Sequence, residues 1–577
     1  MSWKNIENSI NTAFTTVNRN ALVKIDPPTA ILEGRDGLIE KKAVRYIEKK
    51  YDYLLRDSDL PTNSDDRLLA LTKLALIDNQ DQTVFNKGHY HFRINGTLVL
   101  SNDYFRHQSA EFAQYGNTKR LKDNIEGDNI NQIKYFLPPE WQKAPQLAAE
   151  FHSAMAFDSY FIKEMIDEGI PSNQAKHILV NAITAEIELS ANLRTIFNIT
   201  GMRDCSGAQF ETNYIGNLIT LATKNATPQL ANWLGSRCVP DDICREKYTC
   251  KKIKDRKEIY TSNLVKDPSS GKLIEIDHFD NSLLENIIHK KQEQIANTIA
   301  PNLTNNDAGF IHNMKLANQK YLQAKKDGVS YEFSPKIKFR SHLRNEKGEL
   351  ELEPILAENA NTTFKRLPLE DMPSNFEFKE GEIDSTLDSV VDQRHYGVFD
   401  TGILVYNVAI SRMMLQRIAR HKNGLMFSSQ HHTEHANFEY VVPPAIKKNP
   451  KMLEKYHTLM YYRSDLYARA VDAGIDISQA RYCIPIAAGC KGTISLRPRN
   501  ALTTALQRAC STGWADSNFM MQLTEETKDY YPRAFKKMGP KCMTTPNISC
   551  AKTCDRKDLV LSAYRDRNPD AVKELMN

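Results

Sequence analysis

Two short stretches of this 577-residue chain set a cation, an imidazole and a further donor side by side: Arg106-His107-Gln108 in FRHQSAEFAQYGN, and Arg420-His421-Lys422 in ISRMMLQRIARHKNGLMFSSQHH. Fixed charge beside directed donors makes a cradle for a phosphate or a flavin-nucleotide head, although an RH dipeptide standing alone suits a solvated loop equally well. A second set of residues comes in fours. Cys205, Cys238, Cys244 and Cys250 have counterparts in Cys510, Cys542, Cys550 and Cys554. Four thiolates in each set could hold zinc or an iron–sulfur cluster. None of the ten cysteines forms a C-x-x-C pair, so ordinary thiols fit the spacing too. His431, His432 and His435 lie near His421 and read as part of a polar loop.

These groups recur because the chain repeats itself. DEGIPSNQAK (Asp167–Lys176) returns 305 residues later as DAGIDISQAR (Asp472–Arg481). At the same offset Tyr135, Pro138 and Pro139 fall on Tyr440, Pro443 and Pro444, and Arg203 and Cys205 fall on Arg508 and Cys510. Upstream, HYHFRINGTLV (His89–Val99) resembles HYGVFDTGILV (His395–Val405) at an offset of 306. Each copy is therefore expected to open with a hairpin, turning at Asn95-Gly96 or at Asp400-Thr401-Gly402. A PP turn then leads into a helix. Leu147, Phe151 and Met155 share one face of it, as do Leu453, Tyr456 and Met460, and Gly169 and Gly474 suit its C-terminal cap. A second helical run carries Arg203 or Arg508.

The expected fold is α+β: two tandem units, each a small antiparallel sheet packed with helices, joined by a partly helical connector. The boundaries read as an N-terminal extension at 1–60, unit one at 61–255, a connector at 256–380 and unit two at 381–577. The connector carries the turn signal DPSSGK and a helical run, HFDNSLLENIIHKKQEQIANTI.

The order of parts is more specific than any one of them. An RHx loop, a Y-x-x-P turn, a helix ending in G-x-x-x-x-Q-A-R-x-x-x-P, then N-x-R-x-x-x-N-x-x-x-x-R and A-Q-x-E together resemble the flavin-dependent thymidylate synthases (ThyX). Copy one supplies Asn192, Arg194, Asn198 and Arg203, followed by Ala208-Gln209-Phe210-Glu211. Copy two supplies Ala480-Arg481 with Pro485, then Arg508, and ISR-x7-RHK from Ile410 to Lys422. The likeness excludes residues 1–60 and the connector.

The resemblance implies transfer of a one-carbon unit from methylenetetrahydrofolate to C5 of a pyrimidine deoxynucleotide, most simply dUMP to dTMP, with FAD as cofactor and NADPH as reductant. It implies nucleotide binding by Arg106, Gln108 and Gln114, by Arg420, Lys422 and Gln430, and by Lys176 and Arg481. His107, His421, Asn192, Arg194 and Asn198 would hold the flavin, and Arg203 and Arg508 would be catalytic. The family builds its sites between subunits of a homotetramer, so a homodimer of the fused chain would supply the same four units. One composite site would pair the Arg106 loop with Arg481 and Arg508, the other the Arg420 loop with Lys176 and Arg203. Arginine grips an anion with two parallel donors where lysine offers a point charge, which favours the Arg481 site for the nucleotide. The chain departs from the family loop at Gln114, Gly116 and Thr118, and at Ser428, Gln430 and His432. Copy two also has Arg497, Thr503, Trp514 and Asp516 in place of Asn192, Asn198, Gln209 and Glu211.

The composition, 25% charged and 41% hydrophobic, is that of an ordinary soluble globular protein, and the formal charge of +5 suits small anions as well as nucleic acid. The first residues lack a signal-like apolar core, and the stretch GILVYNVAI is too short for a span, so a cytoplasmic protein without a membrane partner is expected. Two rival readings stay open. One is a related flavoenzyme that modifies another pyrimidine nucleotide or leaves a different C5 substituent. The other is a non-catalytic scaffold that binds nucleic acid through its Lys/Arg surface.

Overall fold

The computed structural model describes residues 3–15, 23–25, 28–35, 39–51, 61–62, 64–75, 86, 88–105, 107, 110–115, 133–205, 208–231, 234–236, 264–266, 273–275, 306–341, 352–365, 378–379, 381–393, 396–419, 426–429, 438–509, 514–540 and 557–576. The chain divides into two compact units: residues 1–172, 178–323 and 457–485 in the first, and 173–177, 324–456 and 486–577 in the second. Each unit is thus built mainly on one copy of the repeat and takes a short stretch of the other.

The sheet of the first unit contains β1 (Thr29–Arg35), β2 (His89–Thr97), β3 (Glu111–Tyr115) and β4 (Thr184–Asn192) in the order β1-β2-β4-β3, all antiparallel. Along β2 exposure alternates, so Tyr90, Phe92 and Ile94 point into the core while His89, His91 and Arg93 face outward. Its helices include α1 (Leu98–Phe105), α2 (Pro145–Asp167), α3 (Leu193–Arg203) and α4 (Phe210–Ala226). Phe151, Met155, Phe161, Ile162 and Met165 bury α2 deeply. This helix ends as its sequence suggests. Gly169 has φ +83°, its N–H donates to Ile166 O at 2.9 Å, and Ile170 N donates to Met165 O at 2.9 Å.

The second unit repeats the sheet with β5 (Lys336–Ser341), β6 (Leu404–Ser411), β7 (Met426–Ser429) and β8 (Gly489–Leu496) in the order β5-β6-β8-β7. Its helices include α5 (Arg412–Ala419), α6 (Pro450–Asp472), α7 (Pro498–Arg508) and α8 (Trp514–Tyr530). Residues 457–472 of α6 belong to the first unit. There Gly474, φ +83°, closes the helix with the same pair of bonds, Gly474 N to Val471 O and Ile475 N to Ala470 O. Two edge strands come from segments outside the resemblance, β1 from the N-terminal stretch and β5 from the connector. The connector also holds helices at Asp307–Lys326 and Leu352–Lys365, while the run at 278–299 lies outside the described residues.

The expected hairpins are not formed. Asn95 and Gly96 lie within β2, paired with Glu186 and Ala185 of β4. Gly96 answers to close packing: a Cβ there would stand 2.1 Å from Leu100 Cδ2 and 3.3 Å from Glu211 Oε1. In copy two, Tyr396–Asp400 is a single turn of 3-10 helix. Thr97 pairs with Thr184 and Ser411 with Gly489, and Gly489 lies 305 residues beyond Thr184. Ser411 is therefore the structural counterpart of Thr97, and the likeness of the two HY segments does not mark equivalent strands.

Candidate active site

α1 leaves the end of β2 with Leu98 N bonded to Ile183 O at 3.0 Å, and it brings Asp103 and the adjoining His107 to one end of α3. Arg203, the last residue of α3, reaches both. Its Nε donates to His107 Nε2 at 3.1 Å and its Nη2 to the Asp103 carbonyl at 2.7 Å. An N–H aimed at Nε2 requires that nitrogen to accept, which leaves the ring proton on Nδ1. The Asp103 carboxylate accepts from Thr212 Oγ1 at 2.9 Å, and Arg481 Nη2 stands 3.7 Å from the same oxygen. Both members of that ion pair are 13% exposed, enough for contact with water or a ligand.

Arg481 comes from copy two, and backbone bonds hold it in place. Asn181 N donates to Ile484 O and Ala182 N to Tyr482 O, each at 3.0 Å. Asn181 Nδ2 donates to the Arg481 carbonyl at 3.1 Å, and Arg481 Nε donates to Ser478 O at 3.1 Å. Trp141 Nε1 secures the start of the segment by donating to Gln479 O at 3.1 Å.

Beneath this pair lies a buried carboxyl. Glu211 accepts from Thr97 N at 2.7 Å, from Thr97 Oγ1 at 2.5 Å and from Tyr482 OH at 2.6 Å. Burial, opposed in part by those donors, pushes the Glu211 carboxyl up to about 7, and burial likewise raises the Tyr482 phenol. Gln209 Nε2 donates to Tyr482 OH, so the donors run Gln209 to Tyr482 to Glu211. The Gln209 side-chain oxygen, Oε1, caps α4 by accepting from Thr212 N at 2.9 Å. The A-Q-x-E motif thus begins a helix and anchors the segment that carries Arg481.

The other candidates fall as follows. Asn192 is the N-cap of α3, its side chain accepting from Thr195 N at 2.9 Å; Arg194 is exposed, and Asn198 is half-buried one turn further along. Gln114 lies in β3, with its side chain outside the described residues, as are Arg106, Gln108, Arg420, His421, Lys422 and Gln430. Arg203 joins His107 of its own copy and, through Asp103, Arg481, while the Arg420 loop with which it was expected to group lies outside the described residues. Arg508 ends α7 in the second unit.

Lys176 also belongs to the second unit, where its neighbour His177 occupies the position that Tyr482 holds in the first. The His177 ring lies 5.7 Å from Trp514, the counterpart of Gln209. Burial, with Arg417 and Lys176 adding to it, pushes His177 down to about 3, and its Nε2 has no hydrogen-bond partner. A tilted ring contact here replaces the donor chain of the first unit.

Among the described residues no three His, Cys, Asp or Glu side chains group as metal ligands. Cys205 is half-buried; Cys238, Cys244, Cys250, Cys510, Cys542, Cys550 and Cys554 lie outside the described residues. No helix among those residues is long and apolar enough to cross a membrane. Asp103 and Tyr482 went unnoticed in the sequence. Tyr482 adjoins Arg481, and Gln209 and Glu211 were visible as a motif without a role, whereas Asp103 belongs to no local pattern.

This double arrangement matches a known family. The family model described as Thymidylate synthase complementing protein (Thy1) matches residues 41–229 and again 353–533, and the chain belongs to that family, with its unit present in duplicate. Among its relatives, a protein of Sulfurisphaera tokodaii named flavin-dependent thymidylate synthase is 27% identical over 158 residues, 27% of this chain and 58% of the relative. Proteins of the same name from Saccharolobus solfataricus and Geobacter sulfurreducens are 25% and 23% identical over 192 residues each, covering 33% and 32% of this chain and 68% and 82% of theirs. The chain thus spans little more than half the length of the first of these.

Proposed function

We propose that the chain is an FAD-dependent thymidylate synthase that transfers a one-carbon unit from methylenetetrahydrofolate to C5 of a pyrimidine deoxynucleotide, dUMP in the simplest case, with NADPH as reductant. The observation that carries this reading is the meeting of His107 and Arg203 from copy one with Arg481 from copy two around Asp103. The names of the relatives support it. The guanidinium groups of Arg203 and Arg481 supply a positive field for the phosphate or for negative charge developing on the pyrimidine ring. Asp103 aims Arg481, and His107, held as the Nδ1–H tautomer by Arg203, offers a neutral donor. Arg106, Gln108 and Gln114 complete the nucleotide cradle.

Arg194 and Asn198, one turn apart near the start of α3, fit an anionic dinucleotide, and the Asn192 amide N–H2 is the part of that side chain not used in the cap. Bound there and reduced by NADPH, FAD would supply the hydride that converts the transferred carbon to a methyl group. Arg420, His421, Lys422, Gln430, Lys176 and Arg508 make a second, weaker composite site, because Trp514 and His177 stand where Gln209 and Tyr482 anchor the first. The active particle is a dimer of the fused chain.

The test is the visible spectrum of the purified chain together with dTMP formation from dUMP, methylenetetrahydrofolate and NADPH. Two flavin bands and dTMP are expected. A colourless protein that makes no product with added FAD overturns the proposal, and turnover of a different pyrimidine nucleotide in place of dUMP favours the related flavoenzyme.

A further inference from the structure

Helices α2 and α6 are the same element in the two copies, and their charges oppose at equivalent positions. Glu150, Asp158 and Glu164 of α2 correspond, 305 residues on, to Lys455, Arg463 and Arg469 of α6. Copy one is acidic at all three and copy two basic. In the first unit, which contains α2 and residues 457–472 of α6, Arg463 Nη2 donates to Asp158 Oδ2 at 2.5 Å with both side chains 0% exposed. Arg469 grips Glu150 through two parallel bonds, at 2.8 and 2.6 Å. Asp158 thus meets its own counterpart, and Glu150, eight residues earlier, meets the residue six beyond Arg463. The segments therefore cross antiparallel about a local twofold at the 158/463 pair.

At such a position two identical copies would bring two identical side chains together. The observed pair is also poorly satisfied. Asp158 Oδ1, Arg463 Nε and Arg463 Nη1 have no hydrogen-bond partner, although the guanidinium also lies 5.3 Å from the Phe151 ring centre. A well-packed apolar pair would avoid burying two charges, so this one is a weak source of stability. It does distinguish one copy from the other: like pairing would bury Asp158 against Asp158, or Arg463 against Arg463, and like charges brought together in an interface are strongly disfavoured.

We propose that the opposed charges of α2 and α6 form a pairing code, by which the long helix of copy one accepts that of copy two and rejects a second copy one. The partner this surface fits is therefore the opposite copy of the same family unit, basic at 463 and 469. Glu164 and Lys455, related by the same offsets, continue the acid-to-base pattern in sequence. Duplication followed by such divergence would hold the two copies in one unequal arrangement and so preserve a site that takes His107 from one and Arg481 from the other.

Thermal unfolding and size-exclusion profiles of four full-length chains test this: wild type, Arg463→Gln, Arg463→Asp, and Asp158→Arg combined with Arg463→Asp. The code predicts that Arg463→Gln lowers the midpoint by roughly 4–7 °C, that Arg463→Asp lowers it further or prevents soluble assembly, and that the double reversal recovers at least half of the loss. If Arg463→Asp is no worse than Arg463→Gln, like charges are not rejected and the proposal falls. It falls equally if the double reversal is no better than Arg463→Asp alone.

Discussion

Replacing Glu211 by glutamine isolates the cost of a buried acid at the base of the site. The carboxyl titrates near 7 in the folded chain, against 4.5 for an ordinary glutamate. A folded pKa raised in this way contributes stability that is complete below about pH 4.5 and is lost as pH rises through 7, because over that range the unfolded chain releases the proton while the native one keeps it. A shift of this size is worth about 3 kcal/mol. Glutamine has the same shape and carries no titrating group, so the stability of Glu211→Gln relative to wild type should rise by about 3 kcal/mol between pH 4.5 and 7 and then level off. A fixed offset is expected beneath that slope. The amide has one acceptor oxygen where the carboxyl offers two, one to Thr97 N and one to the two hydroxyls, so its N–H2 meets a donor on one side and that donor loses its partner at a cost of about 1–3 kcal/mol. Urea unfolding of both proteins at half-unit steps of pH measures slope and offset separately. A difference that does not change with pH, or that shifts in favour of wild type as pH rises, would mean that the three donors keep Glu211 ionised and that burial does not control it.

Other expectations are local. Asn192→Ala removes the cap of α3 and should cost about 1 kcal/mol, while Arg497→Asn should add about 0.5–1 kcal/mol, because Arg497 occupies the same position before α7, in extended conformation, without a capping bond. Gly474→Ala should cost about 1–2 kcal/mol, purely from its φ of +83°, since an added Cβ would meet nothing within 4 Å. Thermal melts at pH 7.5 check all three, and a neutral result for Gly474→Ala would remove the left-handed cap from the account of α6.

The parts of the fold that obey local rules could be read from the residues. The four-residue spacing of Leu147, Phe151 and Met155 and the glycine that follows each long helix marked α2 and α6. Rules of the same kind misled at Asn95-Gly96, which has hairpin chemistry in sequence but is a strand interior whose glycine makes room for Leu100. Strand pairing was needed to equate Thr97 with Ser411, because likeness between two HY segments carries no register. Arg203 and Arg481 were identifiable by type and motif. Their meeting on Asp103 was not, because a carboxylate in α1 carries no pattern and the contact joins residues 378 positions apart.

Arg481 is proposed to serve the first unit's site from the second copy. The most direct test compares Arg481→Ala with Lys176→Ala for dTMP formation, with bound FAD quantified in both. Loss of one charge-assisted contact of about 1.5–3 kcal/mol predicts that Arg481→Ala lowers kcat/KM by roughly 10- to 150-fold with its flavin retained, and that Lys176→Ala stays within about twofold of wild type. An inactive Lys176→Ala beside an active Arg481→Ala, or an Arg481→Ala protein that loses FAD while binding dUMP normally, would contradict it.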